Sequence, residues 1–294
     1  MWNSGAGRLR VCILIAVCNE EESLPELAAK LRKLHAALQP AYKVEYCFVD
    51  DGSTDRTATL VQSAAPTGAR VSVLFHGTNR GIGAAFRTGV LHTDADIICT
   101  IDADCSYPPS DLDRMITDVA ANQTDIVVAS PYHPEGGVLN VQRWRLFLSL
   151  QCSRLYRIVS PLKLHTYTSM FRAYRGSVAR SVQFPSDGFV STVEILLDAA
   201  SRGARISEAP LVLSRRTKGR SKLRLGRTIR AHLRLIALCC LAKLQGRYPN
   251  FETSTLSTSA PVDGRGRRSA EPSAAFLQEM PERTRVLSST VSNG

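Results

Sequence analysis

No apolar run in this sequence is long enough to cross a bilayer. The longest run of its C-terminal half, Leu235 to Ala242, falls far short of the roughly 20 residues a spanning helix needs. No basic-then-apolar leader opens the chain, so a cytoplasmic protein is expected. The eight cysteines include no Cys-x-x-Cys pair and no zinc-type spacing with histidine. Cys12, Cys47 and Cys99 instead fall inside apolar runs, where a thiol serves as a small hydrophobe in a reduced chain. Ser, His and Cys form no nucleophile–base pattern, which argues against a covalent intermediate. The turn Gly81-Ile82-Gly83-Ala84-Ala85-Phe86 has Phe where a dinucleotide fingerprint needs its third glycine, so it is not one.

Acidic residues are missing from one region altogether. Between Arg215 and Arg247 stand eleven Lys or Arg side chains and no Asp or Glu, in a chain of 294 residues with a formal net charge of +11. Such an excess points to an acidic partner such as a phosphate or an anionic membrane face. The same region has no interleaved aromatics and no recognised fold motif, so no nucleic-acid partner is expected. Residues 226–247 combine Arg227, Arg230, Arg234 and Lys243 with an apolar stretch. That suits a basic amphipathic helix lying at a membrane interface, or packing on the protein's own domain or on a partner.

What the chain does have is a 44% hydrophobic content and a regular alternation. Apolar runs at Val11–Ala16, Val44–Val49, Val71–Phe75, Asp96–Ile101 and Asp125–Ser130 read as buried strands. Helical segments separate them. The first is introduced by Ser23-Leu24-Pro25-Glu26, a capping-box pattern, and carries Leu24, Leu27, Leu31, Leu34 and Leu38 on one face. Later, Arg143 to Ile158 and Val190 to Arg202 read as helices and Ala204 to Leu213 as a last strand. Alternation at this spacing predicts an α/β fold with a mostly parallel central sheet flanked by helices, which binds ligands at the carboxyl edge of its strands.

Polar residues collect at that edge. The fourth strand ends in Asp102-Ala103-Asp104, whose side chains share one face when extended. Two carboxylates so close repel unless a cation sits beside them. Their hard oxygens suit Mg²⁺ or Mn²⁺ with substrate phosphates completing the shell. A solvated acidic turn is the alternative reading of this triplet taken alone.

Several motifs in order resemble the family 2 glycosyltransferases. They are Val11 to Leu27, Val49-Asp50-Asp51-Gly52-Ser53-Thr54-Asp55, Asn79 to Gly89, and Ile101-Asp102-Ala103-Asp104. Thr168 to Arg175 and Arg216 to Leu223 resemble the dolichol-phosphate mannosyltransferase, or polyprenol-phosphate glycosyltransferase, branch. The resemblance implies a GT-A fold, the Rossmann-like nucleotide-diphospho-sugar transferase fold, over residues 11–225. A 1–10 extension would precede it, and the basic helix of 226–247 and a Ser-, Thr-, Pro- and Gly-rich disordered tail of 248–294 would follow. It implies an inverting, Mn²⁺- or Mg²⁺-dependent hexosyltransferase using a GDP- or UDP-sugar. The leading acceptor is a polyprenyl phosphate at the cytoplasmic membrane face. A soluble hydroxyl acceptor and a non-catalytic nucleotide-binding scaffold are the alternatives.

By the same resemblance Asp104 ligates metal with Asp102 close by, and Ser106 stands where a third ligand is expected, replacing the branch's Gln. Glu20 and Asp51 match positions that hold the nucleoside, together with Ala16 and Cys18, which replace Pro and Tyr. Arg145 and Ser149 match an Arg-x-x-x-Ser pattern facing an acceptor phosphate; Arg216, Lys218 and Lys222 would clamp phosphates over the site. Pro131, Thr166 and Met170 depart from the branch's Arg, Asp and Gly. A hydroxyl acceptor would need a base, for which Asp187 and Glu194 are the candidates, Glu194 alternatively partnering an arginine.

Overall fold

A computed structural model describes residues 7–215, 225–246, 249 and 287–290. The chain opens with β1 (Arg10–Val17), α1 (Leu24–Leu38), β2 (Lys43–Asp50), the short α2 (Thr57–Leu60), β3 (Arg70–Phe75), α3 (Ile82–His92) and β4 (Ile97–Asp102). Then follow α4 (Leu112–Ala120), β5 (Ile126–Ser130), β6 (Gly137–Leu139), α5 (Arg143–Val159), β7 (Arg172–Arg175), α6 (Gly176–Ser181) and α7 (Ser191–Ser201). The last elements are β8 (Ile206–Pro210), β9 (Val212–Ser214), α8 (Leu225–Leu244) and β10 (Leu287–Thr290).

One sheet of order β10-β3-β2-β1-β4-β7-β5-β8 carries the fold, and β6 with β9 makes a small second sheet. The pairs β1–β2, β2–β3, β1–β4 and β5–β8 are parallel, whereas β7 lies antiparallel between β4 and β5. Both faces are covered, which is why the strands read as continuous apolar runs. Val11, Ile13, Ile15 and Val17 pack toward α1 and α4, and Cys12 and Leu14 pack toward α3 and α7. In α1 the residues Leu24, Leu27, Leu31, Leu34 and Leu38 are all buried, as the leucine spacing predicts. Gly89 is required where α3 crosses β1, since a Cβ there would overlap the Leu14 side chain. All eight cysteines are free thiols.

Several local readings need correction. Ser23 makes no side-chain cap; its hydroxyl donates to Glu20 Oε2 (2.9 Å), and Glu26 pairs with Lys30 instead. The first strand begins at Arg10, one residue before the apolar run Val11–Ala16, and Arg10 pairs with Lys43. The single last strand is two strands. Pro210, which has no N–H, closes β8, and Val212 to Ser214 leave the main sheet to pair with β6. Leu287 to Thr290, expected in a disordered tail, run antiparallel along β3.

Residues 225–244 form a helix as expected, and it packs on the protein's own α5. The Tyr156 hydroxyl lies 2.9 Å from His232 Nδ1, and Leu235, Cys239 and Ala242 are buried. Burial pushes His232 down to about 4 from its ordinary 6.5, so this junction is neutral. The opposite face is exposed, with Leu233, Leu238, Leu241 and Leu244 in solvent. Among the described residues no helix is long and apolar enough to cross a membrane.

Candidate active site

The strand order reverses between β1 and β4, and open α/β sheets bind ligands in the crevice beyond such a point. In register there, Ala16 stands opposite Asp102 and Val17 opposite Asp50. The loops after β1, β2 and β4 therefore converge, and bring Ala16, Cys18, Glu20, Asp51, Asp102, Asp104 and Ser106 to one sheet edge.

Backbone hydrogen bonds stitch these loops together. Asn19, at φ 48°, accepts the Thr54 N–H on its Oδ1 (2.6 Å) and donates its own N–H to Ser53 Oγ (2.9 Å). The Glu20 N–H donates to Thr57 Oγ1 (2.7 Å), and Asn79 Nδ2 donates to Cys18 Sγ (3.3 Å). Asp50 Oδ1 accepts the Ser53 N–H (2.7 Å), while its buried Oδ2 has no hydrogen-bond partner among the described residues.

Asp51 is nearly buried and organises the next turn. Oδ1 lies 2.7 Å from His76 Nδ1 and accepts the Arg80 N–H (2.9 Å); Oδ2 accepts the Gly81 N–H (2.7 Å). Burial alone would raise its pKa, but the His76 contact and the two N–H donors outweigh burial and hold Asp51 below its ordinary 3.8. Gly81, at φ 111°, allows the turn, since a Cβ there would strike the Asp187 carbonyl. His76 was missed in the sequence. Its place directly after β3, at the carboxyl edge, is the one signal that could have marked it.

Asp104 Oδ1 accepts the Ser106 N–H (3.0 Å) across Cys105, whose φ is 53°. Ser106 thus shapes the acidic turn through its backbone. Asp102 lines a cavity of ≈ 200 Å³ whose walls include Ser106, Tyr107, Pro131, Tyr132, Ser149, Thr166, Thr168, Ser169, Met170 and Phe189. Ser149 Oγ and Thr168 Oγ1 are 3.0 Å apart, and Ser130 Oγ and Thr166 Oγ1 2.9 Å. Of the sequence-predicted residues, Asp102, Ser106 and Ser149 meet in this cavity. Arg145 does not line it and is exposed beside the Trp144 ring (5.2 Å). Arg216, Lys218 and Lys222 lie outside the described residues.

Neither candidate base lines the cavity. Asp187 pairs with Arg87 at 2.8 Å. Glu194 accepts the Ser186 N–H (3.1 Å) and hydroxyl (2.7 Å), and burial raises its pKa above the ordinary 4.5. Gln can keep an acceptor for one Ser186 group and orient toward the other. Glu194→Gln is therefore expected to retain sugar transfer to within about tenfold, where loss of a general base costs about 10²–10⁴. Steady-state rates of Glu194→Gln beside the wild type distinguish the cases.

The sequence profile of glycosyl transferase family 2 matches residues 12–182, more than half of the chain. The chain belongs to glycosyl transferase family 2. This glycosyltransferase is 30% identical over 221 residues to polyprenol monophosphomannose synthase of Mycolicibacterium smegmatis, covering 73% of this chain and 81% of the relative. It is 31% identical to undecaprenyl-phosphate mannosyltransferase of Micrococcus luteus (73% and 88% covered). To dolichol-phosphate mannosyltransferase of Pyrococcus furiosus it is 30% identical (78% and 63% covered). The crystal structure of glucosyl-3-phosphoglycerate synthase from Mycobacterium tuberculosis, with Mn²⁺, UDP and glucosyl-3-phosphoglycerate, shares the GT-A fold. Its TM-score is 0.58 at 19% identity, with 81% of this chain and 80% of that one covered.

Proposed function

We propose that this glycosyltransferase moves a hexose from a GDP- or UDP-sugar to a polyprenyl phosphate, with inversion, at the cytoplasmic face of a membrane. The observation that carries the reading is the acidic turn Asp102–Asp104 at the reversal of strand order, opening on a hydroxyl-lined cavity. The relatives named above support the acceptor: by name they make polyprenol monophosphomannose or transfer mannose with undecaprenyl phosphate or dolichol phosphate.

The residues fit a divalent cation. Asp102 and Asp104 supply hard oxygens at a strand end. Among the described residues no group of three or more His, Cys, Asp or Glu is placed to hold a metal, so donor phosphates would complete the shell, as Mg²⁺ prefers. Bound there, Mn²⁺ or Mg²⁺ would supply charge stabilisation to the departing diphosphate. The chain's own residues do the positioning. Asp51 fixes the turn at Arg80 and Gly81 that floors the nucleotide side, with Ala16, Cys18 and Glu20 beside it. Asp102 faces the sugar, and Ser149 stands across the cavity toward the acceptor. A phosphate acceptor is ionised near neutrality, its second pKa being about 6. It needs no strong base, in keeping with Asp187 and Glu194 being engaged elsewhere.

Helices α5 and α8 support the membrane contact. Neither contains an acidic residue, and together they expose Trp144, Phe147, Ile158, Leu233 and Leu241 among Arg143, Arg145, Arg154, Arg157, Arg227, Arg230 and Arg234. Basic residues near an anionic leaflet contribute about 1 kcal/mol each. Leu233→Asp with Leu241→Asp is expected to lower binding to phosphatidylglycerol vesicles at least about tenfold, measured by co-sedimentation, while leaving nucleotide binding intact. The function itself is tested by a thermal-shift screen of GDP-, UDP- and dTDP-sugars with and without Mn²⁺, followed by transfer to polyprenyl phosphate. A metal-dependent rise with a GDP- or UDP-sugar and labelled lipid product are expected; stabilisation by none of these donors would contradict the reading.

A further inference from the structure

One wall of the cavity belongs to no helix or strand. Residues 165–170 run between α5 and β7 in irregular conformation, and Thr166, Thr168, Ser169 and Met170 all line the cavity. A segment without ladder partners must have its backbone groups satisfied some other way. At its start one carboxylate does it, that of Glu208; further on, Ser153 Oγ accepts the Tyr167 N–H, and Arg172 and Thr100 donate to the Tyr167 and Met170 carbonyls. Glu208 sits on β8, in register with Val128 of β5, and its side chain is only 9% exposed. Glu208 Oε1 accepts the N–H of His165 (2.9 Å) and of Thr166 (2.9 Å). Oε2 also accepts from His165 N (2.9 Å) and lies 2.8 Å from His165 Nδ1. Charge-assisted bonds of this kind are about twice as strong as neutral ones.

The wall so fixed faces a particular chemistry. Thr166, Thr168, Ser169 and Ser149 present hydroxyls, each able to donate and accept, and Asp102 adds one carboxylate. Among the described lining residues there is no Lys or Arg. At ≈ 200 Å³ the cavity is smaller than the roughly 300–1,000 Å³ of sites that enclose drug-sized ligands. Half-open to solvent, it has room for one polyhydroxyl ring.

We propose that Glu208 is a positioning residue for sugar transfer: through the backbone of His165 and Thr166 it holds the hydroxyl-bearing wall against which the donor's neutral sugar ring sits beside Asp102. This rests on the chain using a nucleotide-sugar donor. The imidazole of His165, in edge contact with His133 (centroids 5.1 Å apart), is the lesser part of the clamp. The backbone N–H groups are the greater part and remain in any His165 variant.

Glu208→Gln keeps the shape and can keep an oxygen on both N–H groups, but its NH₂ then faces the His165 N–H that Oε2 also accepted, leaving one donor facing a donor. The test measures the affinity of the full chain for GDP and UDP and for GDP-mannose and UDP-glucose by calorimetry, alongside kcat for transfer. In the wild type the sugar is expected to add affinity over the nucleoside diphosphate alone. Glu208→Gln is expected to lose that gain and to lower kcat about 10- to 100-fold, the scale of a small misplacement, with GDP or UDP affinity unchanged. His165→Ala is expected to keep most of both. Unchanged kcat and sugar affinity in Glu208→Gln would overturn the proposal. So would equal losses of nucleotide affinity, melting temperature and kcat, which mark a general structural role. A wild type that gains affinity from the sugar yet transfers none overturns the transferase reading while leaving Glu208 decided by the binding comparison. A wild type without that gain overturns the cavity assignment itself.

Discussion

Replacing Asp104 with alanine is expected to lower sugar transfer by roughly 10²–10³-fold, the cost of removing one group aimed at developing charge in a transition state. The carboxylate is half-exposed at a strand end, and its described hydrogen bond is with the Ser106 N–H. Its removal leaves the sheet beneath intact, so far-UV circular dichroism should match the wild type. The loss should fall on kcat and not on the affinity for free nucleoside, because the proposed function seats the base on the Asp51 side of the crevice. Asp102→Asn should behave alike and in addition alter the cavity, of which Asp102 is a wall. Full activity of Asp104→Ala at saturating donor and Mn²⁺ would remove the acidic turn from the chemistry.

Asp51→Asn is expected to act on binding and stability together. The carboxylate receives the Arg80 and Gly81 N–H groups and meets His76 Nδ1, and His76 Nε2 in turn lies 2.9 Å from Thr88 Oγ1. An amide must turn its NH₂ toward one of these donors, which costs about 1–3 kcal/mol, more where the lost group was charged. Nucleotide affinity should fall about tenfold or more, each tenfold being about 1.4 kcal/mol. The pH dependence follows from the direction of the shift. Asp51 titrates below its ordinary 3.8 in the folded chain, so its contribution is fully present above that value. It is lost as pH falls through the lower, folded-state value. Urea unfolding of Asp51→Asn between neutral pH and pH about 3 should show a shallower loss of stability than the wild type. A parallel curve would mean that Asp51 is not held in this way.

The sheet was legible in the sequence where strands are buried on both faces. Val11 to Ala16 and Asp96 to Ile101 could be placed to within a residue or two because continuous apolar runs admit few other fates. The acidic turn was legible too, since Asp102 and Asp104 end such a run. What was hidden depends on tertiary partners. β7 has Arg172 in its first position, a residue that reads as exposed. In the fold Arg172 is wholly buried and donates to the carbonyls of Tyr167 (2.9 Å) and Thr192 (2.8 Å). The three-residue β6 and β9 are too short to show a period. Glu208 gave no sign of its role, because its partners are backbone N–H groups more than forty residues away in sequence. The helical segment between the second and third strands is only Thr57–Leu60 and one turn of 3-10 helix at Val61–Ala64, with Pro66 soon after.

In the proposed function the acids at the end of β4 serve transfer of a sugar from a nucleotide to a lipid phosphate. Its most direct test is the transfer of labelled mannose from GDP-mannose, or glucose from UDP-glucose, to polyprenyl phosphate by the purified full chain. Each reaction is run with Mn²⁺, with excess chelator, and with Asp104→Ala. Labelled lipid formed with Mn²⁺, and lost on chelation and in the variant, is the predicted result. Product formed equally in all three reactions, or none from any GDP- or UDP-sugar with Mn²⁺ present, would contradict it.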